Sequence, residues 1–258
     1  MTPAAVKRLA HVKAHVAAME RTLPNALSNV RNGTGSPKGS TMALAAHAQA
    51  RSMVAWFEAH DLVALRQWSF VAARLERHVR GIETQQSQGA GMLDLLAPLL
   101  SNDRETIAWF ANDDGPFYLD RVDGRRNFDL WAWQAIVALR GDWERLEERS
   151  RRVLADPPSN PSLQRYLGDH RFYLALATGD RAGMEDALRD MTAPKLVKSR
   201  SNDDSGFTAD LISTAAVICA KIAWFHGHAV QVDSPFVPAA WLDATPLPAY
   251  DAHYDFLG

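Results

Sequence analysis

Apolar residues along this chain recur at intervals of three and four, and almost nowhere at intervals of two. The stretch Phe207 to Phe225, FTADLISTAAVICAKIAWF, sets Leu211, Ile212, Ala215, Ala216, Cys219, Ile222, Ala223 and Phe225 at that spacing. A wide apolar stripe results, which predicts a core-facing helix over 207–226. Gly227 offers a left-handed stop just past it. The N-terminal pattern predicts another helix over 3–22. Alternating β-branched residues appear only briefly, at Val230 to Val232. The expected class is all-α.

Between these helices a longer rhythm recurs. Four times an apolar stretch ends in a short polar turn carrying aspartate, at Ala59-His60-Asp61, Ser101-Asn102-Asp103, Arg140-Gly141-Asp142 and Thr178-Gly179-Asp180. The aspartates lie 42, 39 and 38 residues apart (103 − 61, 142 − 103, 180 − 142). Aspartate there suits an N-cap, because its carboxylate accepts the first free amides of the second helix. Helix pairs returning every ~40 residues predict stacked helical hairpins of the α-solenoid or tetratricopeptide-like kind. The pairs are placed at 42–80, 89–111, 127–155 and 160–191, so that hairpins fill 42–191. The fixed alanine, tyrosine and proline positions of a true tetratricopeptide array are missing. Polar, breaker-rich connections are expected at Arg31 to Ser40, Asn112 to Arg126, Asp156 to Pro161 and Pro194 to Gly206, the first of them mobile.

The last segment, 227–258, is neither helix nor loose end. Pro235, Pro238, Pro246 and Pro248 stiffen it, and Val230, Val232, Phe236, Val237, Trp241, Leu242, Leu247, Tyr250, Tyr254 and Phe256 carry too much apolar surface to leave in water. It is expected to wrap back and dock on one all-helical domain spanning 1–258. The order of its motifs is distinctive: A-x-x-x-A-K-I-A-W-x-x-G from Ala216, V-x-V-D-S-P-F-V-P-x-x-W-L from Val230, then P-L-x-x-Y and a terminal Y-D-F-L. This series resembles the Imm49 family of immunity proteins from bacterial polymorphic toxin systems, most clearly over 194–258. The resemblance implies a protein that binds and neutralises a cognate toxin, encoded next door, and not an enzyme.

Bulk properties narrow the alternatives. The chain has 258 residues, 47% of them hydrophobic, and a formal net charge of −2, so no global pull toward nucleic acid or an anionic membrane is visible. Lys7, Arg8, His11, Lys13 and His15 interrupt the first helix, which is not read as a signal peptide. Lys221 breaks the best candidate for a membrane span. A cytoplasmic protein, monomeric or homodimeric, is expected. Cys219, the single cysteine, is read as a buried small hydrophobe. Most of the ten aromatic residues Trp56, Phe57, Trp68, Phe70, Trp109, Phe110, Trp131, Trp133, Trp143 and Trp224 are assigned to the core, any one being a possible interface anchor.

Catalytic signatures are scarce. RNGTGSPKGST places Lys38 before Gly39 and Pro37 where a phosphate would need an amide, so it is a linker and not a phosphate loop. His11 and His15 lack an intervening acid and a third ligand, and no metal or cofactor is expected. His226 and His228 flank Gly227, where an imidazole suits the negative end of a helix. The basic runs Arg125-Arg126 and Arg149 to Arg152 have acidic neighbours and read as surface ion pairs. An enzyme would have to assemble a scattered site from His60, His170 or His226, and a helical-repeat adaptor is the other rival.

Two acidic loops hold the interest that remains: Asn112-Asp113-Asp114-Gly115 followed by Phe117 and Tyr118, and Asn202-Asp203-Asp204-Ser205-Gly206. Turn and cap chemistry accounts for such loops. The functional alternative gives Asp113, Asp114, Phe117, Tyr118, Asp203 and Asp204 to a basic surface on a toxin.

Overall fold

Among the residues that the computed structural model describes, 1–82, 91–124 and 128–257, every regular element is an α-helix or a short 3-10 turn. In chain order the helices are α1 (Pro3–Glu20), α2 (Leu23–Asn32), α3 (Pro37–Ala59), α4 (Leu62–Ile82), α5 (Leu96–Ser101), α6 (Arg104–Asn112), α7 (Phe128–Arg140), α8 (Trp143–Ala155), α9 (Pro161–Gln164), α10 (Leu167–Ala177), α11 (Arg181–Met191), α12 (Pro194–Ser199) and α13 (Thr214–Phe225). The starts of the pairs expected at 89–111 and 127–155 lie outside the described residues.

The four aspartate turns share one construction. The residue before each aspartate is left-handed, with φ of 52° at His60, 62° at Asn102, and 69° at both Gly141 and Gly179. The aspartates then cap α4, α6, α8 and α11 by accepting the amides of Ala64 at 2.9 Å, Thr106 at 2.9 Å, Arg145 at 3.3 Å and Gly183 at 2.9 Å. At the two glycine turns the preceding helix closes as a Schellman motif, with the Asp142 amide on the Val137 carbonyl and the Asp180 amide on that of Ala175. One local device therefore ends a helix and starts the next in two residues.

Helices α1 and α2 lie on α3, α3 pairs along its length with α4, α5 packs on α4, and α8 and α11 both pack on α10. Helix α13 touches α5, α7, α10 and α11 together, which departs from a stack in which each unit meets only its neighbours. Its environment corrects the expectation of a one-sided stripe. Thr214 through Ala223 are all buried, Lys221 among them. The helix also starts at Thr214 and not at Phe207, because 207–213 forms turns with Asp210 left-handed at φ 65°, and the Asp204 carboxylate accepts the Thr214 amide at 3.1 Å.

Two expected connections are partly helical. Residues 31–40 narrow to a short link, since α2 runs to Asn32 and Ser36 caps α3 through the Gly39 amide at 3.2 Å, with Pro37 in the first turn. Proline at that position sacrifices no helical hydrogen bond. In 194–206, α12 uses Pro194 in the same way.

Beyond α13 the chain carries only two 3-10 turns, Ala239–Trp241 and Asp255–Leu257. Trp241 is 1% exposed and meets Trp56 and Phe57 edge-on at ring separations of 5.9 and 6.0 Å. Tyr250 stacks on Phe70 at 4.7 Å, and Tyr254 and Leu257 join a small second core with Leu44, Val71 and Leu75. Polar ties follow the same path: Arg66 to Asp243, the Gln67 amide to the Asp251 carbonyl, and Arg31 to Asp255. The tail thus covers faces of α3 and α4 that would otherwise meet water.

Candidate functional site

The first acidic loop is built into the fold by its own side chains. Phe117, expected to be presented outward, is 2% exposed; it packs edge-on against Trp133 at 4.7 Å and lies against Gly91. Asp113 is also largely enclosed. Its carboxylate takes Arg80 Nη1 at 2.6 Å and accepts the Gly115 amide at 3.1 Å. Asp114 stays half-exposed but pairs with Arg140, and Tyr118 lies under the Arg121 guanidinium at 4.3 Å. An acidic loop followed by aromatics is here a docked turn, because Arg80 and Arg140 are far away in sequence and near in space.

The second loop is anchored more deeply. Asp203 accepts the Tyr166 hydroxyl at 2.9 Å and pairs with Arg165 at 3.3 Å and Arg200 at 3.4 Å. Arg200 in turn holds the fully buried Asp169 at 2.6 Å, and the Trp131 indole donates to the same carboxylate at 3.1 Å. Burial and the Asp203 charge push the Tyr166 phenol up to about 12. Asp204 caps α13, and burial raises its carboxyl above the usual carboxylate range.

The second loop borders a groove, which the first reaches only through the Arg80 pair with Asp113. It encloses about 390 Å³ between α3, α4, the 93–97 segment and the 203–208 loop. Small and apolar residues form the walls: Met42, Ala45 and Ala46 from α3, Ala72 from α4, and Leu93, Leu96 and Ala97 opposite. Glu76, Asp94, Asp203 and Asp204 supply four carboxylates to the lining, and Gln49 one amide. No lysine, arginine or histidine lines it among the described residues. Arg80 stands behind the groove and reaches Glu76 at 3.7 Å and Asp94 at 2.7 Å besides Asp113. Among the described residues Arg80 is the one cation paired with these three carboxylates, two of which line the groove. Burial and the neighbouring Asp94 charge raise the Glu76 carboxyl, as expected where like charges crowd.

Of the carboxylates lining the groove, Asp203 and Asp204 are ones the sequence singles out, whereas Glu76 and Asp94, from two further elements, are not. The one local trace is the spacing of Met42, Ala45, Ala46 and Gln49, which is a single small-residue face of a helix.

The histidines on which an enzyme reading would draw are dispersed. His60 is the exposed left-handed residue ending α3, and its ring meets Trp56 edge-on at 5.2 Å. His170 is buried in α10, where burial lowers its pKa to about 4. His226 packs edge-on against Trp143 at 4.6 Å. No hydrogen bond or ring contact joins any two of these three among the described residues. His15 leans on the Phe207 ring at 4.7 Å, and burial lowers its pKa. Among the described residues no group of three or more His, Cys, Asp or Glu side chains stands close enough to hold a metal ion. Cys219 is fully buried with Sγ 3.8 Å from the Tyr173 hydroxyl, and burial pushes its thiol up.

The basic run after Glu148 also needs correction. Arg151 and Arg152 make the expected pairs with Glu147 at 2.7 Å and Glu148 at 3.6 Å. Arg149 instead is 0% exposed and bonds inward to Gln134 at 2.7 Å, to the Val122 carbonyl and to Asp123. Burial lowers its pKa to about 10. Arg125 and Arg126 lie outside the described residues. No described helix is long and apolar enough to cross a membrane.

Comparison with known proteins adds one firm relation. Neither the curated proteins nor the solved structures contain a match to this chain. A family model does match, over residues 123–241, which run from just before α7 through α13 to Trp241. The match reaches further toward the N-terminus than the tail motifs suggested and stops before the P-L-x-x-Y and Y-D-F-L segments. It takes in Asp203, Asp204 and Lys221, while the walls supplied by α3 and α4 lie outside it. Through this segment the chain is similar to the Imm49 family, immunity protein 49.

Proposed function

We propose that this protein binds a cognate bacterial toxin and neutralises it by occupying its surface, without turning over a substrate. The observation that carries the reading is the immunity-family match across α7 to α13. The partner on this reading is a protein encoded beside it, met in the cytoplasm of the producing cell. Stable inhibition of that kind buries on the order of 1,600 Å² in total, with well-packed anchors at the centre and a polar rim. The rigid helical frame suits the task, since a preformed surface loses little entropy on binding.

Of the residues in the two acidic loops, Asp114 and Tyr118 keep exposed or half-exposed positions, and Asp203 and Asp204 border the groove; these are the ones given to the interface. Asp113 and Phe117 serve it indirectly, by holding the 113–118 loop against Arg80 and Trp133. Co-expression with the product of the neighbouring reading frame tests the proposal. Growth should be restored, and the two proteins should co-purify as a stable complex. A non-toxic neighbour, or a toxic one that this protein neither binds nor relieves, would overturn it.

A further inference from the structure

The groove between α3, α4 and α5 combines two features that seldom meet. Its walls are small and apolar, and among the described residues its lining holds carboxylates without a cation. Met42, Ala45, Ala46 and Gln49, whose spacings place them on one face of α3, form one wall. Met42 at one end of that stripe is 52% exposed. Leu93, Leu96 and Ala97 complete the apolar lining with Ala72. Glu76, Asp94 and Asp204 line the same groove.

The electrostatics are unbalanced in one direction. Among the described residues Arg80 is the one cation paired with Glu76, Asp94 and Asp113. Asp203 is balanced by Arg165 and Arg200, so Asp204 adds its charge to the groove beyond that pair. A site of this shape complements a group with a hydrocarbon stem and a cationic end. The side chains of lysine and arginine have that form: methylenes that pack on alanine and methionine, and a head that bonds carboxylates. A spherical inorganic cation would leave the apolar walls unused.

We propose that this groove receives a lysine or arginine side chain of the toxin, with its stem along Met42, Ala45, Ala46 and Ala97 and its charged head between Glu76, Asp94 and Asp204. The inference rests on the immunity reading and adds to it a place and a chemistry. The cation relieves the repulsion among the groove carboxylates, so binding and local stability are coupled. The anchoring side chain is removed from water on docking, which is where interface hot spots arise.

The test uses the full chain and the toxin domain encoded by the neighbouring reading frame, with affinity measured by titration calorimetry at low and raised salt. Two variants probe the groove differently: Asp94→Asn removes charge, and Ala46→Arg places a tethered cation in the cavity. Asp186→Asn, on an exposed α11 pair outside the groove, serves as control. Thermal melting establishes that each variant folds. The expected result is at least about tenfold weaker binding for Asp94→Asn with a shallower salt dependence, and a larger loss for Ala46→Arg, while Asp186→Asn binds as the parent does. Unchanged affinity in both folded groove variants would overturn the groove assignment and leave the immunity reading standing. No binding by the parent chain would overturn both. If spermidine alone shifts the Met42 methyl resonance as strongly as the toxin does, the groove belongs to a small amine and the proposal fails.

Discussion

Lys221, sealed inside α13, and Asn102, the left-handed residue between α5 and α6, meet at 2.5 Å and together hold the C-terminal tail in place. The ammonium also donates to the carbonyls of Trp241 at 3.0 Å, Leu242 at 3.3 Å and Asp243 at 3.0 Å. Asn102 uses its amide hydrogens on the carbonyls of Asp243 and Thr245, both at 2.9 Å. Burial and nearby Arg66 lower the lysine pKa to about 7, a tendency opposed by four acceptor oxygens that favour the charged form. A residue whose sequence context suggested only a break in an apolar run is thus the peg on which the tail turns.

Replacing Asn102 by glycine should release this clamp while keeping the left-handed backbone. The ammonium and two tail carbonyls lose a partner, so stability should fall by about 2–3 kcal/mol. Thermal melting measures the loss. Hydrogen exchange should localise it to residues 241–245, and protection there equal to that of the parent would refute the assignment.

Gly91 and Phe117 should behave as a coupled pair. Gly91 has φ of 92°, and a Cβ there would lie 2.3 Å from the Phe117 ring. Gly91→Ala should therefore destabilise by about 2–4 kcal/mol, from overpacking and left-handed strain together. In a Phe117→Ala background the same change should cost only about 1 kcal/mol, the strain alone. Denaturant titration of the four species gives the cycle, and additivity would contradict the contact.

The aspartate turns should contribute alike. Asp142→Ala and Asp180→Ala remove the same kind of cap from α8 and α11, so each should cost about 1 kcal/mol. Because the caps serve different helices and share no partner, the double variant should cost close to the sum. Equilibrium unfolding checks both statements.

His170 gives a signed pH dependence. Burial first, with Arg149 adding to it and Asp169 opposing, lowers its pKa from 6.5 to about 4. Between these values the unfolded chain binds the proton and the folded chain does not, so stability falls as the pH drops from 6.5 toward 4. The full effect is roughly 3 kcal/mol. His170→Gln should flatten that part of the profile relative to the parent, and identical slopes between pH 6.5 and 4 would contradict the account.

Much of the helical order was legible because its signals are local. A left-handed residue followed by a capping aspartate recurs at Asp61, Asp103, Asp142 and Asp180, and each ended one helix and began another as read. Helices α2 and α12 were missed because LPNALSNVRN and PKLVKS hide short helices in polar, proline-led segments. The site was less legible for a different reason. An acidic loop looks the same in sequence whether its carboxylates face solvent or an arginine. Arg80 lies 33 residues from Asp113, and Tyr166 lies 37 from Asp203. Glu76 and Asp94 carried no motif, since their role comes from the groove that α3, α4 and the 203–208 loop form together.

The central claim is inhibition by occupancy, and stoichiometry tests it most directly. The activity of the neighbouring toxin, measured as this protein is titrated in, should fall linearly and reach its floor near one equivalent, with the toxin's intact mass unchanged. Complete inactivation by a small fraction of an equivalent, or a covalent change in the toxin, would show turnover and contradict the account.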